Sequence, residues 1–94
     1  MAYERRKTSG PKDPLRRDLE RIGEAIDPGI RLGARIRALR EGRSISQEEL
    51  GFRSDIHRTY IGQIERGDKY PSLELLFRIA AALKVPVWTL FFGE

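Results

Sequence analysis

The stretch Ser46–Gly67, SQEELGFRSDIHRTYIGQIERG, decides the fold of this 94-residue chain. Ser46 followed by Glu49 has the form of a capping box, in which each side chain takes up the other residue's free backbone N–H at a helix start. Leu50 then faces inward, and Ser54-Asp55, residues that tolerate turn geometry, break the chain. A second short helix follows, with Ile61 and Ile64 on its inner face. Arg58, Thr59, Gln63 and Arg66 recur on its other side at helical spacing. Arg, Thr and Gln on one exposed helix face are the side chains that suit base edges and phosphate oxygens.

The flanking sequence continues in helices. The spacing predicts a helix from Ile30 to Glu41, with Leu32, Ile36 and Leu39 on one face and Gly42 closing it. The two short helices run over Gln47–Arg53 and His57–Glu65, the latter stopped by Gly67. Pro71-Ser72 opens a longer helix to about Lys84, with Leu73, Leu76, Phe77, Ala80 and Leu83 expected on its buried face. Pro86 restarts a last short helix through Val87, Trp88, Leu90 and Phe91. Upstream, Asp13-Pro14 reads as an N-cap with proline at the first helical position. Leu15, Leu19, Ile22 and Ile26 then give Pro14–Ile26 the stripe of an amphipathic helix, ended by a turn at Asp27-Pro28-Gly29. The chain therefore divides into a polar, basic tail over 1–12 that reads as disordered, an extension helix and turn over 13–29, and a domain over 30–94. There is no strand pattern and no internal repeat; the fold class is all-α.

Lysine and arginine outnumber aspartate and glutamate 18 to 14, a net charge of +4. Residues 1–29 contribute +1 and residues 30–94 contribute +3, so most of the surplus lies in the domain that carries the two short helices. A positive surplus there favours a polyanionic partner. The absence of cysteine excludes disulfides and thiolate metal sites and fits a reducing cytoplasm. No apolar run approaches the roughly 20 residues that a membrane span needs. The N-terminus has charges but no apolar segment after them, unlike a signal peptide. His57, the only histidine, stands in no catalytic or metal-ligating spacing, so a role at the helix start or beside a phosphate is expected of it. Glu48-Glu49 fit the electropositive first turn of a helix better than paired catalytic carboxylates. No cofactor, metal or enzymatic activity is expected.

From Leu32 to Phe91, about 60 residues, the chain resembles the lambda-repressor-like, or XRE, helix-turn-helix family. The resemblance is carried in order by LGARIRALR, SQEELGFRSD, HRTYIGQIERG, PSLELLFRIAAALKV and VWTLF. Within that family, FRSDIHRTYIGQIERG is most like the controller proteins of restriction–modification systems, small dimeric transcription regulators. The resemblance implies a five-helix domain, here with an additional N-terminal amphipathic helix. It implies double-stranded DNA as partner, contacted at base edges by Arg58, Thr59 and Gln63, with Tyr60 at the groove margin. It further implies phosphate contacts from Gln47, Arg66, Lys69 and Ser72, beside the one expected of His57, and a buried ion pair between Arg40 and Glu65. Asp55 replaces the usual turn glycine, and His57 stands where a Ser or Thr cap is common, which leaves the second short helix less well capped.

Trp88, Leu90, Phe91 and Phe92 make the C-terminus more apolar than so small a core needs. Val85, Val87, Trp88, Leu90 and Phe91 are accordingly expected to form a two-fold homodimer face. The expected protein is a cytoplasmic, nucleoid-associated bacterial regulator that binds a two-fold operator, with RNA polymerase as a further partner if it activates. Two alternatives are a phage-type repressor or antitoxin of the same fold, and a protein-interaction module that has lost DNA binding.

Overall fold

Asp27 starts the first helix, in a computed structural model that describes residues 27–92. The tail over 1–12 and the Pro14–Ile26 helix expected from the sequence lie outside the described residues. Helix α1 spans Pro28–Gly42, and the Asp27 side chain caps it by accepting from the backbone N–H groups of Gly29 and Ile30. The turn expected at Asp27-Pro28-Gly29 is thus corrected: the same three residues open a helix. Proline at the first helical position loses nothing by lacking an N–H, since that donor has no partner inside the helix.

Helix α2 spans Gln47–Ser54, and Ser46 Oγ accepts from the Glu49 N–H at 3.0 Å. The reciprocal half of the expected capping box is absent, because the Glu49 carboxylate instead accepts from Arg53 Nε at 2.8 Å, one turn on. Asp55 ends α2 in the left-handed region at φ 59°, the turn geometry expected of it. Helix α3 spans Arg58–Arg66, one residue later than expected at each end, and closes on left-handed Gly67. Helix α4 spans Leu73–Leu83 behind a Ser72 cap, and the four-residue helix α5 spans Thr89–Phe92. The described residues contain no strand.

The core takes Ile36 and Leu39 from α1, Leu50 from α2, Ile61 and Ile64 from α3, and Leu76, Ile79 and Leu83 from α4, closed by Leu90 from α5. Each such side chain contributes about 1.5–3 kcal/mol relative to exposure. Leu73 and Phe77, expected in this core, are instead 67% and 54% exposed. Helix α4 carries apolar residues on two adjacent stripes, and the stripe through Leu76, Ile79, Ala80 and Leu83 is the one that turns inward.

Helices α1 and α3 approach very closely. A Cβ at Gly33 would collide with the Ile64 carbonyl oxygen and lie 2.6 Å from that of Glu65. Beside this contact Arg40 Nε donates to Glu65 Oε2 at 2.7 Å and Arg40 Nη2 to Glu65 Oε1 at 3.0 Å, with the Glu65 side chain 2% exposed. Arg40 Nη1 also donates to the Ile45 carbonyl at 2.8 Å, and Gln47 Nε2 donates to Glu65 Oε1 at 2.9 Å. One buried carboxylate therefore joins α1, α2 and α3. Glu65→Gln removes the negative charge but leaves Arg40 buried, and a broken buried pair costs about 3–5 kcal/mol. The variant is expected to melt well below wild type; an unchanged midpoint in thermal or urea unfolding would refute this.

Candidate nucleic-acid interface

Helix α3 has two faces with opposite chemistry. Ile61, Ile64 and Glu65 point into the domain, while Arg58, Thr59 and Arg66 are exposed and Tyr60 and Gln63 are half-buried. Arg58 and Thr59 occupy the first two helical positions, at the end that leaves the turn. Among the described residues the Arg58 side chain has no hydrogen-bond or ion-pair partner, so its fork of donors is open to a ligand.

The entrance to α3 is held from two sides. His57 caps the helix, its Nδ1 accepting from the Thr59 N–H at 3.0 Å. That corrects the expectation of a weakly capped start. An accepting Nδ1 is unprotonated, so in this tautomer the proton sits on Nε2, which can still donate. On the other side Arg78 Nη1 donates to the Asp55 carbonyl at 3.2 Å while Nη2 pairs with Glu74 at 2.7 Å. The sequence reading missed this strut between α4 and the turn, although Glu74 and Arg78 stand one helical turn apart.

The remaining expected phosphate contacts lie in three places. Gln47 sits at the first position of α2, one amide N–H engaged by Glu65 and a second left over. Arg66 is exposed, but its Nε pairs with Asp68 at 3.0 Å. Lys69 is exposed in the loop between α3 and α4 and has no ion-pair partner among the described residues. Ser72 Oγ accepts from the Leu75 N–H at 3.2 Å, and its hydroxyl can still donate.

The same loop carries a contact that the sequence reading did not anticipate. Tyr70 Oη donates to Asp27 Oδ1 at 2.9 Å. That bond, followed by the Gly29 N–H, holds the Asp27 carboxyl below its usual range, and in turn the bond to Asp27 raises the Tyr70 hydroxyl. Tyr70, Pro71, Pro28, Gly29, Leu32 and Phe91 line an apolar cavity of about 210 Å³.

The expected homodimer face needs one correction. Leu90 is 1% exposed within a single chain, packed in the core, and cannot supply an interface. Val85 and Val87 are half-buried against that core, whereas Trp88 and Phe91 are 60% and 49% exposed. Phe92, Leu73 and Phe77 are exposed as well. Alternation in a four-residue helix is too short to say which apolar residue faces inward. Among the described residues no cluster of His, Cys, Asp and Glu could hold a metal, and no helix is long and apolar enough to cross a membrane.

Comparison with known proteins places this arrangement. The helix-turn-helix family model HTH_3 matches residues 36–87, more than half of the chain. The control protein C.BamHI of Bacillus amyloliquefaciens is 46% identical over 54 residues, covering 56% of this chain and 67% of that protein. The crystal structure of the restriction–modification controller protein C.AhdI of Aeromonas hydrophila superposes with a TM-score of 0.66 at 39% identity, covering 66% of this chain and 94% of that one. The P22 c2 repressor, crystallised with a synthetic operator, gives a TM-score of 0.62 at 33% identity over 67% of this chain and 96% of its own. These neighbours share the lambda-repressor-like all-helical fold.

Because Leu90 belongs to the core, Leu90→Ala is expected to lower the stability of each domain by about 2–5 kcal/mol, as large-to-small core changes do. Urea unfolding at several protein concentrations checks this. A wild-type midpoint at every concentration would return Leu90 to the surface.

Proposed function

The chain belongs to the HTH_3 helix-turn-helix family of DNA-binding transcription regulators, and from that premise we propose that it binds a two-fold operator as a homodimer and controls a restriction–modification system. The carrying observation is the outer face of α3, where the Arg58 and Thr59 side chains, without a partner among the described residues, stand together at the exposed start of the helix. Inserted in the major groove, Arg58, Thr59, Tyr60 and Gln63 read base edges. Gln47, His57, Arg66, Lys69 and Ser72 flank that face and hold phosphates, which fixes register without carrying sequence information. The identity to C.BamHI and the superposition on C.AhdI support the controller reading. A phage-type repressor is the second reading, favoured by the likeness to P22 c2. Either regulator acts in the cytoplasm on nucleoid DNA, and an activator would also meet RNA polymerase.

The homodimer would use Trp88 and Phe91 with half-buried Val85 and Val87, since these are the expected apolar residues that a single chain leaves accessible. Pairing one patch with itself presents two α3 helices to one side of a duplex, about 34–36 Å apart.

Selection of bound duplexes from a random pool tests the function: recovery of a two-fold sequence supports it, and recovery of no preferred sequence overturns it. On the selected site Arg58→Ala should lose about 1–3 kcal/mol and relax the preference at one base pair per half-site. Lys69→Ala should weaken selected and random duplexes alike and flatten the salt dependence. Equal losses on both duplexes for Arg58→Ala would move that residue to the phosphate group. Trp88→Glu should give folded monomers by sedimentation, with much weaker binding to the full site; undiminished dimerisation would rule out this face.

A further inference from the structure

We propose that Tyr70 is a positioning residue for DNA binding: its bond to Asp27 and its packing on Gly29 hold the loop between α3 and α4 where Lys69 and Ser72 meet phosphates. The inference rests on the DNA-binding reading above and adds a residue to it.

The loop has little else to hold it. Asp68 N–H donates to the Gln63 carbonyl at 2.8 Å, and the Ser72 carbonyl accepts from Leu76 N–H at 3.0 Å. Between these two anchors, Lys69, Tyr70 and Pro71 enter no backbone hydrogen bond among the described residues. The path of the segment that carries Lys69 is therefore set by side chains. Tyr70 reaches across the start of α1 and donates to Asp27 Oδ1, the oxygen that also accepts from the Gly29 and Ile30 N–H groups. Its ring lies so close over Gly29 that a Cβ there would run into the ring edge. Pro71, beside it, lines the apolar cavity with Pro28 and Leu32. A rigid aromatic arm on a helix N-cap thus replaces the missing backbone bonds.

Lys69 has a long, rotamer-rich side chain, and each phosphate contact is stronger when the backbone that carries it is already in place. Asp27 precedes the span that matches the family model, so the partner of Tyr70 lies outside the part of the chain that the family describes. The latch is local in reach. It acts on the loop and leaves α3, held by Arg40 and Glu65, where it is.

Full-length protein tests this in two steps. In the free protein, backbone order parameters of Lys69 and residue 70 should fall from about 0.85 to below about 0.6 in Tyr70→Phe, and should stay high in Asp27→Asn, which keeps cap and acceptor. Tyr70→Phe should then weaken binding to a random-sequence duplex about three- to tenfold, the scale of one net hydrogen bond, without changing base preference. Gly29→Ala, which displaces the ring by another route, should give the same loss. In a Lys69→Ala background the added effect of Tyr70→Phe should shrink below about twofold, because the two residues act as one unit. Unchanged order parameters would overturn the latch, and a loss that is fully additive with Lys69→Ala would overturn the positioning role. A wild-type protein without salt-dependent affinity for any duplex would remove the DNA-binding reading and this inference with it.

Discussion

The bidentate bond between Arg40 and Glu65 is the constraint on which the rest of this domain depends. Apolar contacts alone would leave α3 free to roll, since Ile61 and Ile64 could pack against α1 over a range of rotations. A planar guanidinium gripping a carboxylate at two points admits one rotation. Because Glu65 is fixed on the inner side of α3, the residues about half a turn away are fixed on the outer side. The close backbone approach at Gly33 sets the distance, and the ion pair sets the angle. Burying the pair adds little net stability over a well-packed apolar one, so its larger contribution is to orientation.

A second constraint acts on the turn. Asp55 takes a left-handed conformation that most residues avoid, and Arg78 donates to its carbonyl from α4. His57 Nδ1 then accepts from the Thr59 N–H, which leaves Arg58 and Thr59 as the first residues past the cap. Gln47 extends the first constraint to α2, since its amide bridges the start of that helix to Glu65. The exposed face of α3 is thus held at its entrance by the turn and farther along by the ion pair, and it need not reorganise to present Arg58.

The five helices of the described residues, the left-handed turn at Asp55 and the inner faces of α1 and α3 were legible because each has a local cause: a cap, a breaker or an unambiguous stripe. Four features were not legible, and each depends on what lies across the fold. Asp27-Pro28-Gly29 suits a turn or a helix start equally well, and the Tyr70 hydroxyl, 43 residues away, belongs to the second outcome. Leu73 and Phe77 share α4 with a second apolar stripe, and only the position of α2 and α3 decides between the two. Leu90 and Trp88 are both apolar, but α5 is fastened to α1 where Arg35 reaches the Thr89 carbonyl, and that attachment turns Leu90 inward. The Arg78 strut was missed for the same reason: its i,i+4 partner is visible in sequence and its backbone partner is not.

The start of α1 ties together the surfaces that matter most to the proposed function. Its N-cap holds Tyr70, and Phe91 of α5 lines the same apolar cavity as Tyr70 and Pro71. Phe91 is half exposed, so in the proposed homodimer one of its sides would face the partner subunit and the other would back the loop that carries Lys69. Covering Phe91 would then limit the motion of Tyr70 from behind, while Asp27 limits it from the front. Association of two chains and ordering of the phosphate-contacting loop would in that case share one packed cluster. A ligand that orders the loop must favour the dimer to the same degree that the dimer favours the ligand, because coupling between two binding events is reciprocal.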